Sequence, residues 1–195
     1  MTDNTASETV RSCPEDTVIE QTRHWLKDVV IDLNLCPFAS RPFKQDRIHY
    51  QLLSGKNIER HLQQIAGLFH LLDRNADIET ALLVFPDSYH DFTDYLDLLG
   101  LANALLEDLE YSGIYQLASF HPNYHFEDSN SDDAANFSNR SPWPMLHLLR
   151  ESSIGSAVSS LNQVHEIPEI NIGKLRKLGF SALQKKLDGI RGLKK

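Results

Sequence analysis

Two stretches of this 195-residue chain carry side chains able to move protons or hold an anion. One is His121-Pro122-Asn123-Tyr124-His125; the other is Asn139-Arg140-Ser141-Pro142-Trp143-Pro144-Met145-Leu146-His147-Leu148-Leu149-Arg150-Glu151. Imidazole titrates near neutrality and suits acid–base work, and guanidinium grips carboxylate or phosphate as a planar fork. In the second stretch Ser141 fits a helix N-cap and Pro142 the first helical position, which predicts a helix from Pro142 to about Ser160. Such a helix start, with Asn139, Arg140 and Ser141 around it, is a seat for a small anion. His147, Arg150 and Glu151 would then share one helix face.

Cys36 is the third candidate. With His121, and with His125 or His147, it offers the soft and imidazole ligands a transition metal wants, although none has the close spacing of a structural zinc site. A cysteine beside a histidine is equally a nucleophile with its base. Plainer roles stay open for each: His121 hydrogen-bonded to backbone at a strand end, Cys36 as a small hydrophobe, and Arg140 and His147 buried as architectural groups saturated by carbonyls.

The elements that must position these groups follow from periodicity. Val18, Ile19, Thr22, Trp25, Leu26, Val29, Val30 and Leu33 recur at helical spacing, and that helix should stop before Pro37, leaving Cys36 at or just past its C-terminus. Ile48 to Leu52 alternates as a strand. Asn57 can cap a helix running to about Arg74. Thr80 to Phe85 reads as a strand buried on both faces. A helix from about Tyr89 to Leu109 and a strand from Ile114 to Phe120 follow. Helices are also expected over Ile167 to Leu178 and from Ser181. The alternation predicts an α/β fold: a small parallel or mixed three-stranded sheet of βαβ units, flanked by an N-terminal helix and C-terminal helices. His121 then falls at the carboxyl end of a strand, where open α/β sheets collect ligands.

The chain carries a formal charge of −8, which argues against nucleic acid as a partner, because binding to phosphate backbones is driven by cations. Basic residues concentrate at the end, with eight Lys or Arg against the single acid Asp188 between Lys174 and Lys195. The domain plan is a disordered tail over 1–16, one α/β domain over 17–180 and a basic helix or tail over 181–195. With two cysteines, no signal-peptide pattern and no run long enough to span a bilayer, a cytoplasmic protein with reduced thiols is expected.

Three motifs carry a family resemblance: Asn34-Leu35-Cys36-Pro37-Phe38-Ala39, Ala118-Ser119-Phe120-His121-Pro122-Asn123-Tyr124, and Asn139-Arg140-Ser141-Pro142 continued by Met145-Leu146-His147-Leu148-Leu149-Arg150-Glu151. In order and spacing, from about Thr22 to Phe180, the chain resembles a bacterial family known as domain of unknown function 1415. The resemblance implies no particular activity. Taken together, these features point to a small-molecule enzyme, metal-assisted or not. Arg140 and Arg150 would hold an anionic group, with Asn139, Ser141 and Glu151 beside them. His121 and His147 would serve as acid/base groups or metal ligands, and Cys36 as ligand or nucleophile. The rival is a non-catalytic ligand- or partner-binding protein.

Overall fold

A computed structural model describes residues 15–153 and 166–193. Of the tail expected over 1–16, residues 1–14 lie outside these residues, as does the later part of the helix expected after Pro142, and Glu15 and Asp16 belong to a helix instead. Among the described residues the architecture is a four-stranded mixed sheet between two helical layers.

Helix α1 (Glu15–Trp25) runs directly into a wider π-helical segment, Leu26–Ile31, marked by the i to i−5 bond from the Asp32 N–H to the Lys27 carbonyl at 2.9 Å. Asn34, in the left-handed region at φ 49°, turns the chain out of it, a conformation asparagine tolerates better than most residues. Cys36 follows, and then the short helix α2 (Ser40–Lys44). Strand β1 (Ile48–Leu52), helix α3 (Ile58–Arg74) and strand β2 (Thr80–Val84) form a βαβ unit with β1 and β2 parallel. Asn57 caps α3 by accepting from the Arg60 N–H at 2.8 Å. Helix α4 (Phe92–Asp108) starts slightly later than its apolar pattern suggests, because Asp91 caps it by accepting from the Thr93 N–H at 2.7 Å. Strand β3 (Tyr115–Phe120), a 3₁₀ turn at Ala134–Ser138, strand β4 (Met145–Arg150), helix α5 (Ile167–Leu178) and helix α6 (Phe180–Arg191) complete the order.

The sheet order is β1-β2-β4-β3, with β4 antiparallel to both neighbours. This corrects two expectations. The sheet has four strands, and the segment after Pro142 is a strand where a helix was predicted. Pro144 disfavours the α conformation at Trp143, so the chain leaves the prolines extended. The six-residue segment Met145–Arg150, four of whose side chains are apolar, then fits the slot between β2 and β3. Alternation along β4 sends Leu146 and Leu148 to the layer of α3 and α4, and Met145 to the layer of α1, α5 and α6. The consequence for the candidate residues is direct: His147 and Arg150, three apart, lie on opposite faces of a strand rather than on one face of a helix.

Candidate functional site

Several of the polar groups expected at the site are engaged in holding backbone. His121 is fully buried. Its Nε2–H donates to the Tyr89 carbonyl at 2.9 Å while Nδ1 accepts from the Asn123 N–H at 3.0 Å, so partner types fix the neutral Nε2–H tautomer. Burial holds its pKa below the ordinary imidazole value. Asn139 Nδ2 donates to the Ser119 carbonyl at 3.0 Å and its own carbonyl accepts from the His121 N–H at 3.1 Å, which ties the long loop to the end of β3. Ser141 caps no helix; its hydroxyl donates to the Trp143 carbonyl at 2.6 Å within the proline turn.

The two arginines expected to hold an anion are also committed. Arg140 is buried, donates to the carbonyls of Tyr124 at 3.1 Å and Ser131 at 2.5 Å, and packs against the rings of both Phe137 and Phe180. Its own carbonyl accepts from the Trp25 indole at 2.9 Å. Arg140 thus fastens the loop between β3 and β4 to the helices beneath it. Arg150 closes the C-terminal end of α3: its Nη2 faces the carbonyls of Leu72, Asn75 and Ile78, and Nη1 donates to the Tyr115 hydroxyl at 3.1 Å. Glu151 is exposed beyond the end of β4.

The structure does bring three of the candidates together. A cavity of about 1050 Å³ lies between the sheet and the N-terminal helical layer, and Cys36, His147 and Arg150 are among its walls. Its floor is one face of the sheet, with Ile48, Thr80, Leu82, Gln116, Phe120, His147 and Leu149; its roof is Trp25, Leu26, Val30 and the Cys36 to Pro42 turn. The π-helical segment supplies part of that roof, and such local widenings are frequent at functional sites. Asn139, Arg140, Ser141 and His121 do not line it. Among the described residues no three His, Cys, Asp or Glu side chains gather as a metal site. Cys36, His121 and His147 therefore do not form the ligand set expected of them, because His121 is turned to backbone at the other end of the sheet.

His147 is the group in the cavity with defined proton chemistry. Thr80 Oγ1 lies 2.6 Å from both His147 Nε2 and the Leu148 carbonyl. The hydroxyl has one proton, and at that separation it must go to the carbonyl. His147 Nε2–H therefore donates to Thr80, and Nδ1 keeps its lone pair with no hydrogen bond to a described residue. The ring is half-buried on the cavity floor with protein packed around it. That desolvation lowers its pKa to about 4, so it is neutral at physiological pH.

Cys36 presents a thiol rather than a thiolate. Burial pushes its pKa up, against a smaller opposing effect of the Phe38 and Ala39 N–H groups that face the sulfur. Of the cations along the cavity, Arg47 is taken by Glu79 at 3.4 Å and by the Ala76 and Asp77 carbonyls at 2.7 and 2.9 Å. Arg41 is exposed at the wall, and its guanidinium makes no hydrogen bond or ion pair with a described residue. Thr80, Arg41 and Gln116 were missed from sequence. Thr80 alone left a sign, as the one hydroxyl at the head of an otherwise apolar strand.

A family model described as a protein of unknown function, DUF1415, matches residues 17–185. No curated protein and no solved structure matches the chain. No helix among the described residues is long and apolar enough to cross a membrane.

Proposed function

The chain belongs to the DUF1415 family, whose description assigns no activity, and we propose from geometry that it is a small-molecule enzyme acting in the cavity between sheet and N-terminal helices. The observation that carries this is His147, a neutral imidazole held in one tautomer by Thr80 on the floor of a cavity large enough for a small metabolite. Its Nδ1 lone pair is the proton acceptor. A neutral imidazole oriented by a second side chain can serve as a general base, with its basicity reduced by the lowered pKa. The walls of Trp25, Leu26, Val30, Leu82 and Phe120 suit a mainly apolar substrate body, and Arg41 suits an acidic group at its end. Cys36 contributes a protonated thiol as a polar wall.

The same features would serve a non-catalytic ligand carrier, a reading favoured by the protonated Cys36 thiol, since the cavity then holds no charged nucleophile. Incubation of the protein with a fractionated metabolite extract, followed by mass spectrometry, separates the two. The expected result is a compound consumed by the wild type and bound but not converted by His147→Gln, with a rate loss of about 100-fold or more. Equal conversion by both proteins would refute the role of His147. Retention without conversion by either would favour the carrier.

A further inference from the structure

A smaller pocket opens at the other end of the sheet, beyond the carboxyl ends of β2 and β3. It encloses about 420 Å³ between Gln21, His90, Pro122, Asn123, Pro142, Trp143, Pro144 and Arg191. These residues come from five separate parts of the chain, and Pro122, Asn123, Pro142, Trp143 and Pro144 belong to the His121 and Arg140 motifs. We propose that this pocket is a separate site for a small molecule bearing a phosphate or carboxylate, its charged end on Arg191, His90 and Asn123 and its apolar body against Trp143 and the prolines.

The donors are unspent. Arg191 uses Nε to reach the Pro142 carbonyl at 3.2 Å, and among the described residues its two terminal nitrogens have no hydrogen bond and no ion pair. Asp188, within electrostatic reach of Arg191 on the same helix, accepts from Gln184 at 2.9 Å and forms no ion pair with it. No acidic side chain lines the pocket. The side chains of His90 and Asn123 likewise have no hydrogen bond or ion pair with a described residue. A guanidinium with its fork open, beside an imidazole and an amide, is a recognition set for an oxyanion.

The frame around these donors is built. Gln21 is 2 % exposed. Its Oε1 accepts from the Trp143 indole at 3.0 Å, and its Nε2 donates to the carbonyls of Arg191 and Leu193 at 2.8 and 2.9 Å. One buried amide thereby sets the indole wall and the end of α6 that carries Arg191. The position agrees with the general tendency of ligands in open α/β sheets to sit beyond the carboxyl ends of the strands.

The two tryptophans of the chain make the test direct, because Trp143 lines this pocket and Trp25 lines the larger cavity. The full chain, labelled with ¹⁵N, is titrated with phenyl phosphate and, separately, with benzoate, at constant ionic strength, and both indole signals are followed. The expected result is a saturable shift of the Trp143 signal alone with one or both probes. Arg191→Gln and, independently, Asn123→Ala should weaken it, the former at least tenfold, while His147→Gln should leave it unchanged. Which probe binds distinguishes phosphate from carboxylate. A linear shift, a response of Trp25 in place of Trp143, or full affinity in a folded Arg191→Gln protein would overturn the proposal. If Arg191→Gln does not fold, Asn123→Ala with unaltered affinity would do the same.

Discussion

Replacing His147 by Gln should make the protein less sensitive to acid. The glutamine amide can still donate to Thr80, so the local hydrogen bond survives while the titrating group is lost. In the folded protein His147 has a pKa of about 4 against an ordinary 6.5. Between these values the unfolded chain binds a proton that the folded chain refuses, so stability falls as pH drops below 6.5 and the loss levels off near 4. From pH 7 to pH 5 the contribution amounts to about 2 kcal/mol, a sizeable part of the ~5–15 kcal/mol that holds a typical domain together. His49, His61 and His121 are also depressed, chiefly by burial, but they are common to both proteins and cancel in the difference. Urea unfolding at pH 7, 6 and 5 gives the comparison, and the gap between wild type and His147→Gln should shift by about 2 kcal/mol in favour of the variant. Parallel stability curves, or an imidazole titration for His147 centred near the ordinary value, would show that the ring is not desolvated as described.

Thr80→Val should release the tautomer of His147, so that the imidazole ¹⁵N shifts move toward a mixture of forms; a spectrum like that of the wild type would contradict the assignment of the Nε2 proton. Arg150→Met uncaps the end of α3 and should cost about 2–3 kcal/mol, with faster amide exchange at the end of that helix as its local sign. Leu146→Ala empties space in the core between the sheet and helices α3 and α4 and should cost about 2–5 kcal/mol in chemical denaturation; a loss below 1 kcal/mol would mean that β4 is not central.

Much of the frame can be read locally. The helix from Ile58 announces itself through the Asn57 cap and its apolar stripe, and Thr80–Val84 through an unbroken buried run. The segment after Pro142 is legible only with its neighbours, because Ser-Pro before an apolar run satisfies a helix start locally while the slot between β2 and β3 demands a strand. The same limit applies to the candidate site. Cys36 and His147 share a cavity although 110 residues separate them, whereas Arg140 and Arg150 look like anion binders until the carbonyls they serve, from Leu72 to Ser131, are in view. His121 misleads for a different reason: its neighbours in sequence place it at a ligand-collecting edge, but both of its nitrogens are satisfied by main chain.

The insertion of β4 between β2 and β3 also bears on how the chain reaches its fold. The ribosome delivers β1, α3, β2, α4 and β3 before it delivers the strand that joins them. Until Met145–Arg150 arrives, β2 and β3 each present an edge with no partner, in a chain whose apolar faces are already made. Sheet completion must therefore await the late strand, and the species that waits is the one most exposed to mispairing with its own kind.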